Sequence, residues 1–121
     1  MSDSDLKVIV KAKELAVQTF KLTSNSNRYP KKYRHSLVDK IQNKTLDLYT
    51  TLYEANRISN VTHKNKRIEM ITQGITYCDE ILFFIELSIS IGVLGKASAG
   101  HWSKMVTDVK HLSLAWRKSE K

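Results

Sequence analysis

The chain has 121 residues, which is enough for one domain and too few for two ordinary ones. Hydrophobic residues make up 41% and charged residues 26%, with one Pro, four Gly and one Cys, so collagen-like, low-complexity and disulfide-stapled classes are excluded. The 20 Lys and Arg residues outnumber the 12 Asp and Glu residues and give a net charge of +8, which points to a polyanionic partner.

The sequence carries no sign of export or membrane insertion. The first residues, MSDSDLKVIVKAKEL, lack the basic and apolar regions of a secretory signal, and Cys78 alone cannot form an internal disulfide. The most apolar stretch, residues 81–95, contains Glu86 and falls short of the roughly 20 residues that a membrane helix needs. We therefore expect a cytoplasmic protein without a membrane partner.

Two amphipathic helices are predicted in the first half of the chain. The first runs over about residues 5–22 and ends in the polar run TSNSN at residues 23–27. Its apolar face comprises Leu6, Ile9, Ala12, Ala16 and Phe20. Pro30 suits the first turn of a second helix, which is predicted to last to about Ile58. The apolar face of that helix comprises Leu37, Ile41, Thr45, Leu48, Leu52 and Ala55.

The third predicted helix carries the clearest pattern. A strict three-four alternation forms a bundle seam of Ile68, Ile71, Ile75, Cys78, Leu82, Ile85, Ile89 and Gly92. A second stripe beside it comprises Met70, Gly74, Tyr77, Ile81, Phe84, Ser88 and Ile91. The extra apolar surface needs either a wider core or a neighbouring subunit, and we favour the subunit. The predicted oligomer interface comprises Ile81, Phe83, Phe84, Leu87 and Ile91.

A fourth helix completes the predicted fold. Gly92, Gly95 and Gly100 mark the connection before it and suit a helix C-cap, and Ser98 is its predicted N-cap. Its buried stripe comprises Trp102, Val106, Val109, Leu112 and Trp116. No segment alternates as a half-buried strand would. The pattern predicts a single all-α domain over residues 1–121, an antiparallel up-down four-helix bundle.

Positive charge is concentrated in two parts of the chain. Residues 25–60 and 95–121 each carry a net charge of +4, against +1 for residues 1–24 and −1 for 61–94. The predicted nucleic-acid-binding residues of the second helix and the loop before it are Arg28, Lys31, Lys32, Arg34, Lys40 and Lys44. A second strip on the last helix comprises Lys104, Lys110, Arg117 and Lys118. The alternative interpretation is a solvated face that only maintains solubility.

A smaller basic cluster lies at the start of the third helix. Lys64, Lys66 and Arg67 are candidates for contact with a protein partner, with ordinary surface charge as the alternative. No catalytic set appears, because a di-metal bundle needs two Glu-x-x-His pairs and only Asp108 and His111 have comparable spacing. We predict that the protein is not an enzyme and holds no metal or cofactor.

Short motifs along nearly the whole chain resemble small bacterial four-helix-bundle proteins. KELA at residues 13–16 and RYPKKYR at 28–34 resemble the opening of two families, the proteins encoded in ribosomal RNA intervening sequences and the accessory variability determinants (Avd) of diversity-generating retroelements. The stretch LYEANR at 52–57 lacks the Pro and Gly that are usual in the first family. The ending, HWSKM at 101–105 and AWRKS at 115–119, resembles the Avd type.

The Avd resemblance implies a specific biological role. It implies a homopentameric barrel of bundles with a basic surface that binds the reverse transcriptase and the template RNA of the element. Such a protein catalyses nothing itself and supports adenine-mutagenic copying of the template into cDNA. The alternatives are an intervening-sequence-type bundle that binds structured RNA or ribosomes without a polymerase partner, and a purely structural oligomer whose charge is incidental.

Overall fold

Helices account for nearly all of the described chain. The structure is a computed structural model that describes residues 3–120, with side chains from Lys7 onward. Its four long helices are α1 (Asp3–Thr23), α2 (Asp39–Arg57), α3 (Lys64–Ser90) and α4 (Lys96–Glu120). A 3₁₀ turn, Lys31–Tyr33, and a π-helical turn, Arg34–Val38, lead into α2. No strand occurs among residues 3–120, which confirms the all-helical, four-helix prediction.

Each long helix packs against two others. Contacts join α1 to α2, α2 to α3, α3 to α4 and α4 back to α1. Polar pairs also link these helices. The carboxylate of Asp79 in α3 lies 2.7 Å from Lys110 Nζ in α4, and Thr72 Oγ1 accepts a hydrogen bond from Arg117 at 3.3 Å. One core therefore lies between all four helices.

The predicted face of α2 is confirmed in full. All six of its residues, Leu37, Ile41, Thr45, Leu48, Leu52 and Ala55, are buried. The helix itself starts later than the pattern suggested, because the backbone from Pro30 first forms the 3₁₀ turn and then the π-helical turn. Pro30 precedes the first of these turns, where its missing N–H costs no hydrogen bond.

The buried side of α3 differs from the predicted seam. Ile71, Ile75, Cys78 and Ile85 are buried as expected, but Ile68, Leu82 and Ile89 are only half-buried. The second stripe supplies Gly74, Ile81 and Ser88 to the core instead. Ile81 is 0% exposed, so its prediction as an oligomer-interface residue is wrong, and the wider-core alternative is correct at this position.

The buried faces of α1 and α4 also differ from the predicted ones, because each includes polar residues. In α1, Ile9 and Ala12 are buried as predicted, but Ala16 and Phe20 are half-buried, and the side chain of Leu6 lies outside the described residues. The remaining buried positions of α1 are Val8, Leu15, Thr19 and Thr23. In α4, both tryptophans, Trp102 and Trp116, are buried as predicted, whereas Leu112 is half-buried and Ser113 is buried.

The connection between α3 and α4 is a glycine C-cap followed by a short loop. Gly92 has a φ of +82°, and the N–H groups of Gly92 and Val93 donate to the carbonyls of Ile89 and Ser88 at 3.0 and 3.1 Å. These two bonds form a Schellman motif, which confirms the C-cap prediction. The next helix begins at Lys96, so Ser98 lies inside α4 and is not its N-cap as predicted.

Among residues 3–120, no helix has both the length and the apolar composition that are needed to span a bilayer.

Candidate nucleic-acid interface

Two segments without carboxylates meet at one end of the bundle. Residues 15–38 and 87–107 contain no Asp or Glu. Arg28 Nη1 donates to Ser98 Oγ at 2.9 Å, which ties the loop after α1 to the start of α4. The hydroxyl of Tyr29 donates to Ser88 Oγ at 2.8 Å, which ties the same loop to the end of α3. We call residues 24–38 and 88–98 the acid-free end.

Burial of Tyr29 anchors this loop. Its side chain is almost completely buried, and burial raises the pKa of the phenol above its ordinary value. The phenol therefore stays protonated and keeps its donor for Ser88. Ser88 in turn donates to the carbonyl of Phe84 at 2.8 Å, so every hydroxyl of this chain of bonds has a partner.

The cations of the acid-free end are open to solvent. Four of the predicted nucleic-acid-binding residues, Arg28, Lys31, Lys32 and Arg34, are exposed here, and Lys40 is exposed one turn further along α2. Helix α4 adds Lys96 to the same end, an exposed cation that the sequence pattern did not single out. In the sequence, the feature that could have indicated Lys96 was the absence of acidic residues over 87–107. Only the fold brings that segment beside residues 24–38. The adjoining carboxylate, Asp39, lies 3.3 Å from His35 and lines a cleft together with Arg34. The segments themselves contain no carboxylate to offset their cations, so the field of those cations can attract phosphate.

Lys44 is held by the neighbouring helix. Its Nζ lies 2.7 Å from the Glu80 carboxylate and 5.0 Å from the centroid of the Tyr77 ring, and its side chain is 24% exposed. The hydrogen bond to Glu80 raises the pKa of Lys44 above its ordinary value. The predicted phosphate-binding strip along α2 therefore loses an open cation at this position, since Lys44 contributes to α2–α3 packing.

Half of the cations in the second predicted strip, on α4, are paired with carboxylates. Lys104 Nζ lies 3.2 Å from Asp108, and Lys110 Nζ lies 2.7 Å from Asp79. Arg117 donates to the hydroxyl of Thr72, and Lys118 is exposed. Since two of its four cations have carboxylate partners, this strip offers phosphate less net charge than the acid-free end does.

The predicted partner-binding cluster separates into surface and core. Lys64 and Lys66 are exposed, whereas Arg67 is only 7% exposed, and the prediction of Arg67 as a surface contact is wrong. Its guanidinium lies 2.9 Å from the Glu120 carboxylate, donates to the carbonyl of Ile58 at 2.9 Å and lies over the Trp116 ring. Apolar periodicity could not reveal this residue as internal, because its partners come from distant parts of the chain.

Part of the predicted oligomer interface is exposed in the structure. Phe83 is 57% exposed and Ile91 is 38% exposed, while Phe84 and Leu87 are half-buried and pack against the core. Four other large apolar side chains, missed by the sequence analysis, are exposed on α1 and α2: Val10, Val17, Leu46 and Tyr53.

Two features bear on reactive chemistry. Cys78 is buried, and burial raises the pKa of its thiol to about 12, so the reactive thiolate is disfavoured. Within the part of the chain that the structure describes, no three His, Cys, Asp or Glu side chains are grouped so that they could hold a metal ion.

Comparisons with known proteins assign no family to the chain. No family model, curated protein or solved structure matches it.

Proposed function

We propose that this chain is a non-catalytic nucleic-acid-binding protein whose acid-free end contacts the phosphate backbone of RNA. The observation that carries the proposal is the meeting of two segments without carboxylates, residues 24–38 and 88–98, which together contribute five Lys and Arg residues. Phosphate binding rises with such local charge because condensed counterions are released from the nucleic acid.

We propose further that the RNA is the template of a diversity-generating retroelement and that the chain assists its reverse transcriptase in the cytoplasm. The support is the resemblance of residues 13–16, 28–34, 101–105 and 115–119 to the Avd family, together with the basic end. On this proposal Lys64 and Lys66, exposed at the start of α3, are candidates for the contact with the polymerase.

The proposed assembly is a homo-oligomer, a pentamer by the same resemblance, of antiparallel up-down bundles. The pairs Asp79–Lys110 and Thr72–Arg117 support opposite directions for α3 and α4, because the residue numbers rise on one helix as they fall on the other. Exposed Phe83 on α3 and Ile91 at the C-cap of that helix support a contact between subunits, since burial of large apolar side chains away from water is favourable.

The first test reverses charge at the acid-free end. The triple variant Lys31→Glu, Lys32→Glu, Arg34→Glu is expected to bind RNA more weakly. The slope of log affinity against log salt concentration is expected to fall in magnitude by about 2, because fewer counterions are released. Fluorescence anisotropy with a labelled RNA over a salt series measures both quantities.

A matched variant separates local from general charge effects. The triple Lys7→Glu, Lys13→Glu, Arg57→Glu makes the same change in net charge at exposed residues outside the acid-free end. It is expected to keep most of the affinity and of the salt slope. Equal losses in both triples, with folded helices by circular dichroism, would remove the acid-free end from the proposal, and no saturable RNA binding by the natural protein would favour a purely structural oligomer.

A pull-down identifies the partner. Tagged protein from the native host, with and without nuclease treatment, is expected to retain a reverse transcriptase identified by mass spectrometry. Retention after nuclease would indicate direct protein contact, and loss after nuclease would leave RNA as the bridge. Recovery of ribosomal particles in place of a polymerase would favour the intervening-sequence alternative.

A further inference from the structure

A small polar cleft opens partly within the acid-free end. It has a volume of about 190 Å³ and lies between the end of α1, the loop after it and the start of α2. Its polar lining consists of Thr23, Ser24, Ser26, Arg34, Asp39 and Gln42. Gln42 Nε2 donates to Thr23 Oγ1 at 2.9 Å and approaches Ser24 Oγ at 3.4 Å, so residues of the cleft lining join α1 to α2.

The cleft lining contains both a strong hydrogen-bond donor group and a strong acceptor group. Arg34 is a donor-only fork, and ionised Asp39 is an acceptor-only group with two oxygens. One of those oxygens, Oδ2, lies 3.3 Å from Nδ1 of His35, an exposed side chain outside the cleft lining. Asp39 repels a phosphate in the cleft, and Arg34 repels an ammonium group, whereas a neutral fragment with both donors and acceptors satisfies both side chains.

The size of the cleft narrows the choice of ligand. The cleft volume of about 190 Å³ is below the roughly 300–1,000 Å³ of typical drug-sized sites. It suits one ring system and excludes a stacked run of nucleotides. Exposed Lys31, Lys32 and Lys40 lie near the cleft in sequence and can hold the phosphates on either side of a nucleotide whose base enters it.

We infer that the polar cleft binds a single unpaired guanine of the RNA, with Arg34 and Asp39 reading its edges. Guanine places two acceptors, O6 and N7, side by side for an arginine fork, and two donors, N1–H and the N2 amino group, side by side for a carboxylate. Adenine offers one donor beside one acceptor on each edge and cannot satisfy either fork fully. This inference rests on the proposed RNA binding, and it adds base selectivity to it.

The test compares single-base changes in one RNA. Labelled U-rich 12-mers carry one central guanine, adenine or inosine, and anisotropy at fixed salt measures Kd. The guanine RNA is expected to bind about tenfold more tightly than the adenine RNA. Inosine, which lacks the N2 amino group, is expected to fall between them because the carboxylate loses one donor.

Two asparagine variants assign the selectivity to the cleft. Asp39→Asn is expected to abolish most of the preference for guanine over adenine while it preserves or strengthens binding of the adenine RNA, because a negative charge is removed. Asp47→Asn removes the same charge at an exposed position two turns further along α2 and is expected to keep the preference.

The outcomes distinguish this inference from the proposed function. Equal Kd values for the guanine and adenine RNAs, with clear binding of both, would overturn the guanine site and leave phosphate binding intact. An unchanged preference in Asp39→Asn would also overturn it. Absence of binding to every RNA would overturn the proposed function and this inference together.

Discussion

Trp102, the largest fully buried side chain of the molecule, depends on one hydroxyl for its polar atom. Its indole Nε1 donates to Thr19 Oγ1 at 3.0 Å, in a contact between residues 83 positions apart in the chain. Thr19 also offers its carbonyl to the hydroxyl of Thr23 at 2.7 Å. A buried N–H without an acceptor costs about 1–3 kcal/mol. We therefore expect Thr19 to stabilise the α1–α4 contact more through its hydrogen bond to Trp102 than through the packing of its side chain.

Replacing the hydroxyl while keeping the shape tests this role. Thr19→Val is expected to lower the free energy of unfolding by about 2 kcal/mol, because the indole N–H loses its acceptor. Urea denaturation followed by tryptophan fluorescence measures the change. Thr19→Ser keeps the hydroxyl and is expected to cost less than half as much, and equal losses in the two variants would show that packing of the methyl group dominates.

Arg67 and Glu120 form a second buried polar contact, at the C-terminal end of α4. Their side chains are 8% and 10% exposed, and Glu120 Oε1 also accepts from Trp116 Nε1 at 3.1 Å. The guanidinium further contacts the carbonyls of Asn56 and Ile58, so one arginine joins the ends of α2 and α4 to the start of α3. Removing one partner of such a pair leaves a buried charge uncompensated.

Truncation of the carboxylate is expected to be costly for that reason. Glu120→Ala should lower the free energy of unfolding by about 3 kcal/mol, measured by urea denaturation. Glu54→Ala provides the comparison, because Glu54 lies 3.8 Å from Arg57 on the exposed surface of α2. Its loss should be below about 1 kcal/mol. Similar losses in both variants would mean that the Arg67–Glu120 pair adds nothing beyond a surface ion pair.

At the scale of elements, the spacing of α2 and α3 depends on a missing side chain. A Cβ atom added to Gly74 would lie 2.7 Å from Leu52 Cδ2 and 3.2 Å from Leu52 Cγ. Leu52 is fully buried, so it has little room to move away. Ile81 and Ser88 follow Gly74 at intervals of seven residues, so they lie on the same flank of α3. That flank is buried more deeply than the one that carries Leu82 and Ile89.

Two glycine-to-alanine changes of opposite sign test the spacing. Gly74→Ala is expected to lower stability by about 1 kcal/mol, because overpacking of about 1–3 kcal/mol exceeds the gain of up to about 1 kcal/mol in helix propensity. Gly100→Ala in α4, where a Cβ would meet no atom within 4 Å, is expected to raise stability by up to about 1 kcal/mol. Thermal unfolding measures both, and a stabilising Gly74→Ala would contradict the proposed close contact.

At the scale of the whole molecule, large apolar side chains remain exposed on three helices. Phe83 lies on α3 and Ile91 at its C-cap, Val10 and Val17 lie on α1, and Leu46 and Tyr53 lie on α2. A contact between different surfaces of neighbouring copies is compatible with the proposed closed ring.

The exposed phenylalanine gives a test of assembly. Phe83→Glu is expected to reduce the oligomer mass with little change in thermal stability, because Phe83 is largely outside the core and a carboxylate cannot be buried cheaply between subunits. Light scattering coupled to size exclusion measures the mass. Val61→Glu, at an 85% exposed loop position, is the control and should keep the assembly. A monomeric natural protein, or an unchanged mass in Phe83→Glu, would contradict a subunit contact through this face.

Local pattern in the sequence was sufficient for the helices and for much of the core. The apolar face that runs from Leu37 in the π-helical turn to Ala55 in α2 followed from spacing alone, because apolar residues at intervals of three and four can be buried together only on one side of a helix. The glycine at position 92 likewise indicated a C-cap, since few other residues adopt a positive φ. The excess of cations around residues 28–34 was also readable without a structure.

Contacts between distant segments were decided only by the tertiary structure. Thr19, Arg67 and Ser88 are polar in sequence and buried in the fold because Trp102, Glu120 and Tyr29 satisfy them from 83, 53 and 59 positions away. The same packing buries Ile81 and brings the segment that carries Lys96 to the loop of Arg28, through the hydrogen bond from Arg28 to Ser98. A periodic pattern reports which side of a helix is apolar, but the partner of a buried polar group and the neighbour of a cation depend on how the helices meet.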